Sequence, residues 1–161
     1  KLNGADGTYN YGKFYLNKDM SMEQIENKLK DYLNVSKVIW INNGINNDET
    51  NEHIDNICAF ARPGEILLAV TDDINDPQYS MSQDAYNTLI NETDARGRKI
   101  KVHKIPLPKP VYLTDYERAG LSSINGFGIR EEHERLAASY VNFYISNKNS
   151  FVFHVLYTLP N

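Results

Sequence analysis

The stretch Ile54-Asp55-Asn56-Ile57-Cys58-Ala59-Phe60-Ala61-Arg62-Pro63-Gly64-Glu65-Ile66-Leu67-Leu68-Ala69-Val70-Thr71 decides the fold class. Two β-prone runs, Ile54 to Ala61 and Glu65 to Thr71, meet across Arg62-Pro63-Gly64, where the Pro-Gly pair supplies a turn. Upstream, Ser21 stands three residues before Gln24, the spacing of a capping box. Ile25, Leu29, Tyr32 and Leu33 then form one stripe at helical spacing, and Asn34 can end the helix. Val38-Ile39-Trp40-Ile41 is a short apolar run of the kind that makes a buried strand. Downstream, Ser80 or Ser82 can cap a helix to about Glu92, with Met81, Ala85 and Leu89 on one side, and Gly97 falls in the turn that closes it. Residues 99 to 105 alternate as a strand. Residues 38–105 therefore read strand, hairpin, helix, strand, which is a mixed α/β layer.

The flanks are less regular. Residues 1–20 carry no sustained period beyond a short strand at Lys13 to Leu16, and three prolines between Pro106 and Pro110 stop regular structure. Residues 111–138 read as loop with a short helix near Tyr116, and Tyr140 to Ile145 with Phe151 to Leu156 as a last hairpin. The whole chain, 1–161, is expected to form a single domain.

Composition narrows the function classes. The 161 residues are 41% hydrophobic and 24% charged, ordinary for a globular protein. A net charge of −4 argues against a nucleic-acid surface, which needs a basic patch. No run of about 18 apolar residues is present to cross a membrane. The single cysteine, Cys58, excludes an internal disulfide framework and fits a reducing compartment, so a cytoplasmic location is expected.

The densest polar constellation is Asp48-Glu49-Thr50-Asn51-Glu52-His53-Ile54-Asp55-Asn56, a loop running into the first strand of the hairpin. If the strand has begun by His53, then His53 and Asp55 share a face, because strand side chains alternate. Such a pair can serve as acid/base and substrate anchor, can ligate a metal, or can be a solvated loop. No His-Glu-x-x-His pair or cysteine cluster supports a metal, and Asp72 to Asp76 lacks the glycine and distal glutamate of a calcium loop. Cys58 sits in an apolar strand, where a structural role is expected over a nucleophilic one. His103, His133 and His154 have no comparable neighbours and read as surface or packing residues, and Trp40 and the eleven tyrosines as core and interface residues.

The block Asn46 to Asn56 is similar to the motif around the catalytic histidine of the agmatine deiminases, a family of guanidine-modifying hydrolases. The resemblance continues through Phe60 to Glu65, Thr71 to Tyr79, Gly97 to Ile105 and Leu136 to Ile145, and covers residues 20–147. It implies the pentein fold, an α/β propeller of ββαβ repeats, of which residues 38–105 correspond to about one unit. It also implies hydrolysis of agmatine to N-carbamoylputrescine and ammonia on the way to putrescine. No metal or organic cofactor takes part in that reaction. A cysteine thiolate attacks the guanidinium carbon, and a histidine acts as acid and then as base. Carried over by motif, His53 is that histidine, Asp55 grips two guanidinium N–H groups, and Glu49 helps line the site.

This chain departs from the family pattern at both ends. Family members run to about twice this length. The Gly-rich segment bearing their nucleophilic cysteine is absent, and Cys58 does not match it. The expectation is an internal, partial pentein domain whose nucleophile lies outside this chain, which is inactive alone and prone to self-association through uncovered strand faces. A homo-oligomer is compatible with such a domain. An arginine or peptidyl-arginine deiminase, and a non-catalytic pseudoenzyme, are the alternatives.

Overall fold

The computed structural model describes residues 19–48, 53–120, 133–146 and 150–153. The element order is α1 (Met22–Leu33), α2 (Ile54–Ile57), β1 (Cys58–Arg62), β2 (Glu65–Val70), α3 (Gln78–Asn91), β3 (Lys101–Pro106), α4 (Asp115–Ala119), β4 (Phe143–Ser146) and β5 (Ser150–Phe153). Three strands make one sheet in the order β1-β2-β3, and β4 and β5 pair as a separate antiparallel hairpin. The short strand expected at Lys13 to Leu16 lies outside the described residues, as does the far end of the last hairpin beyond Phe153.

The first hairpin forms where the Pro-Gly pair puts it. β1 and β2 pair antiparallel, with Arg62 opposite Glu65 across Pro63 and Gly64. Gly64 takes φ +79°, the left-handed conformation that a turn with proline before it requires of its next residue. The register shifts between Phe60 and Arg62, which absorbs the misfit between that turn and the strand twist. β2 then pairs parallel with β3, Glu65 opposite Lys101 through Val70 opposite Pro106. A parallel pair needs a crossover, and α3 supplies it. Ile66, Leu68 and Val70 of β2 and Ala85 and Leu89 of α3 are buried in one core with Ile39, Ile41, Ile45, Ile57, Cys58 and Ile100.

α1 is built as its sequence dictates. Ser21 Oγ accepts the Gln24 N–H at 3.2 Å, Gln24 Oε1 accepts the Ser21 N–H at 2.7 Å, and Asn34 closes the helix at φ 51°. Its apolar stripe is less buried than the spacing implies: Tyr32 is 82% and Leu33 44% exposed.

Three expectations need correction. Val38, Ile39 and Ile41 are buried and Trp40 half-buried, but the segment pairs in no strand; an apolar run signals burial, and the hydrogen-bonded ladder is a separate condition that this segment does not meet among the described residues. Residues 54–57 are a helical turn rather than the start of β1, so the first strand begins four residues later than expected. α3 begins at Gln78, ahead of Ser80 and Ser82, because the Asp76 carboxylate takes the Gln78 N–H at 2.9 Å and starts the helix there. Ser82 is consequently not a cap. It lies on the buried face with Gln78, Ala85 and Leu89, whereas Met81 is only half-buried.

Candidate active site

The segment 42–46, upstream of His53, is held by α3. Gln78 is 2% exposed; its Oε1 accepts the Asn46 N–H at 2.6 Å and its Nε2 donates to the Gly44 carbonyl at 3.1 Å. A buried amide must be satisfied, and these backbone groups satisfy both of its ends. One turn and a half further along, Asp84 Oδ2 accepts from the side-chain amides of Asn42 and Asn43, each at 3.2 Å. Asn47 then adopts φ 60°, a conformation its short polar side chain tolerates.

A second anchor holds the start of α3. Asp76 Oδ1 lies 2.5 Å from Arg135 Nη1, with the side chains 8% and 11% exposed. Burial alone would raise the Asp76 carboxyl. The Arg135 guanidinium and the Gln78 N–H more than reverse it and hold the group below its ordinary range. The acidic stretch 72–76 is thus a set of turns. Asp73 Oδ1 accepts the Asn75 N–H at 2.9 Å and Asp76 faces an arginine, so these carboxylates have structural work.

From this base the chain delivers His53 and Asp55. The His53 N–H donates to Asp48 Oδ2 at 3.0 Å, and the His53 carbonyl accepts the Asn56 N–H at 3.1 Å. His53 is the N-cap of α2 and Asp55 lies in its first turn; both side chains are exposed. The two therefore sit on a helical turn, and the strand alternation expected to put them on one face does not apply. Two residues on, Ile57 and Cys58 are 3% and 2% exposed, which pins the turn to the core. Glu49 lies outside the described residues.

Of two residues that sequence reasoning left without roles, one touches this turn and the other pairs at the far end of the sheet. Asn142, just before β4, donates from Nδ2 to Asp55 Oδ2 at 3.2 Å and to Asn56 Oδ1 at 3.4 Å. His103, expected to stand without a comparable neighbour, has Nε2 2.6 Å from Glu65 Oε2. Glu65 also meets Arg62, so a three-membered polar cluster caps the turn end of the sheet. The parallel pairing of β2 with β3 brings His103 beside Glu65 from 38 positions away, and no local signal announces such a pair.

Cys58 is unsuited to nucleophilic work in this fold. It is the only cysteine, and burial pushes its thiol well above the ordinary value. A cleft of about 480 Å³ is lined by Lys37, Ile39, Phe60, Arg62 and Arg98 among others, and does not include His53, Asp55 or Asn142. Three of its cations are engaged by carboxylates: Lys37 with Glu92 at 2.7 Å, Arg62 with Glu65 at 3.0 Å, and Arg98 with Asp94 at 2.5 Å. No group of three or more His, Cys, Asp or Glu side chains suited to a metal forms among the described residues, and no helix there is long and apolar enough to cross a membrane.

Comparison with known proteins puts this arrangement in context. A Latilactobacillus sakei protein provisionally named an agmatine deiminase is 53% identical over 131 residues, which are 81% of this chain and 36% of that protein. Among solved structures, an agmatine deiminase of Enterococcus faecalis matches 81% of this chain and 36% of its own at 44% identity, with a TM-score of 0.73. A substrate-bound agmatine deiminase of C. jejuni matches 85% of this chain and 34% of its own at 27% identity, with a TM-score of 0.65. The chain thus spans about a third of the length of the relatives it matches. The model of the Porphyromonas-type peptidyl-arginine deiminases matches residues 14–158, a span that encloses His53, Asp55 and Asn142. On that match over most of its length, the chain belongs to the Porphyromonas-type peptidyl-arginine deiminase family.

Proposed function

We propose that this chain is part of an agmatine deiminase and carries the histidine–aspartate half of its active site. The observation that supports this most is the exposed turn with His53 and Asp55 two residues apart, inside the span of the family match. In this reading the substrate is a small guanidino compound and the propeller of ββαβ units is completed outside this chain. The Asp55 carboxylate accepts two guanidinium N–H groups, a charge-assisted bidentate contact. A thiolate from outside this chain attacks the guanidinium carbon. His53, as imidazolium, gives its proton to the departing nitrogen, which leaves as ammonia. The neutral His53 then takes a proton from water; the hydroxide adds to the same carbon, and as the thiolate leaves the hydroxyl proton passes to solvent, forming the ureido carbonyl. The product is N-carbamoylputrescine, a precursor of putrescine, and cytoplasmic work on a soluble metabolite fits this reading. By motif, Glu49 is assigned to substrate binding as well.

The test is a ureido-product assay. Alone, the 161-residue chain forms no N-carbamoylputrescine. An intact protein carrying it turns over agmatine, and His53→Ala or Asp55→Ala lowers the rate by at least about 100-fold, the scale of losing one acid/base or anchoring group. Product from the isolated chain that disappears with Cys58→Ser would overturn the assignment of the nucleophile. The family match favours one second reading, a peptidyl-arginine deiminase. It is distinguished by turnover of an arginine flanked by peptide amides in place of agmatine.

A further inference from the structure

Asp55 is exposed, and an exposed carboxylate rotates freely about its last bond, because that torsion has broad, two-fold wells. A group that must grip a planar guanidinium with both oxygens gains from having that rotation fixed. Asn142 is placed to fix it. Its Nδ2 donates to Asp55 Oδ2 at 3.2 Å and, from the same nitrogen, to Asn56 Oδ1 at 3.4 Å. The Asp55 carboxylate, when ionised, is acceptor-only, so the amide orientation that turns nitrogen toward it is the one that satisfies the contact. Asn142 is itself well seated. The preceding Val141 is 1% exposed and donates its N–H to Ser139 Oγ at 3.3 Å, and β4 begins at the following residue.

We infer that Asn142 is the positioning residue of the Asp55 carboxylate, holding it in the plane from which it receives a guanidinium; the inference rests on the reading of Asp55 as the guanidinium anchor. The stereochemistry permits both contacts together. A carboxylate offers about four lone-pair sites. The amide occupies one on Oδ2, and a bidentate guanidinium needs one on each oxygen. Asn142 does not touch the substrate in this arrangement. It acts through Asp55, so its loss weakens binding without removing the group that binds.

The experiment follows the Asp55 side-chain carboxyl carbon and the Asn142 side-chain amide by NMR in the 161-residue chain while agmatine is added. Agmatine shifts both signals together, and Asn142→Ala and the near-isosteric Asn142→Leu each raise its apparent Kd at Asp55 by about 3- to 10-fold, the equivalent of one hydrogen bond. The backbone amide spectrum away from residues 55–56 and 142 stays as it was, which a merely structural residue would not allow. Two variants guard against one that fails to fold. An unchanged agmatine response at Asp55 in both variants overturns the inference and leaves the anchor reading intact. If Asp55 ignores agmatine both in the wild-type chain and in an intact protein carrying it, the anchor reading fails. The pairing then stands or falls on whether Asp55→Asn moves the Asn142 amide signal.

Discussion

Replacing Asp76 by Asn removes one negative charge from a nearly isosteric side chain and tests whether the base of the site depends on a buried ion pair. Asp76 and Arg135 are 8% and 11% exposed and 59 positions apart in the chain, so their contact ties the start of α3 to the segment before β4. In Asp76→Asn the guanidinium loses the carboxylate of Asp76, and the Gln78 N–H keeps only a weaker, neutral acceptor. Breaking one side of a buried pair costs about 3–5 kcal/mol; the partial exposure of both groups puts the expected loss near the lower figure, about 3 kcal/mol. For a chain of this size each kcal/mol moves Tm by about 2–4 °C, so the midpoint should fall by about 6–12 °C. Thermal unfolding followed by circular dichroism at pH 7 reads this directly. The Asp76 carboxyl is held below its ordinary value in the folded chain, so its contribution is full above pH about 4 and is lost as pH falls through the folded value. The gap between wild type and variant therefore narrows on acidification. The apolar double variant Asp76→Leu with Arg135→Met should recover much of the loss. A fall in Tm under about 2 °C, or a double variant no more stable than Asp76→Asn, would refute the reasoning.

Other outcomes follow from single residues. Gly64→Ala should cost about 1–2 kcal/mol by urea unfolding; the nearest atoms to an added Cβ are 3.8 Å away, so the strain comes from φ +79° alone and Gly64→Asn should be milder. Cys58 should resist a thiol reagent in the folded chain and react at least about 100-fold faster in denaturant, since reaction requires opening of the core; fast native labelling would contradict its burial. The Arg62 guanidinium, with His103 second, holds the Glu65 carboxyl down to about 2 from an ordinary 4.5. Its contribution to stability is present above pH about 4.5 and is lost as pH falls through about 2, and Arg62→Met should move the NMR titration midpoint of Glu65 upward.

Local chemistry was legible in the sequence where one segment decides its own conformation. The capping box at Ser21 and Gln24, the left-handed Asn34, and the turn at Pro63-Gly64 need only their neighbours, and all three form. The same local reading misjudged Ile54 to Ile57, because a single helical turn is too short to impose a 3.6-residue period on a β-prone run. It also misplaced the start of α3, where the deciding group is the Asp76 side chain reaching forward past Pro77. What stayed invisible is what the fold brings together from afar: Arg135 on Asp76, Gln78 on Gly44 and Asn46, His103 on Glu65, and Asn142 on Asp55. The motif singles out His53 and Asp55 as candidates, but their setting on a helical turn could not be read from spacing.

The 87 positions between Asp55 and Asn142 also set a schedule. A ribosome adding about 5–20 residues per second needs roughly 4–17 s to bring the second residue out after the first. The hairpin, the crossover helix and β3 can assemble within that interval, since all of them emerge before Asn142, whereas the Asp76–Arg135 contact closes only near its end. The carboxylate on the exposed turn cannot be held until the last of its partners is synthesised, so a nascent chain would display a folded sheet for some seconds before the site acquires its final geometry.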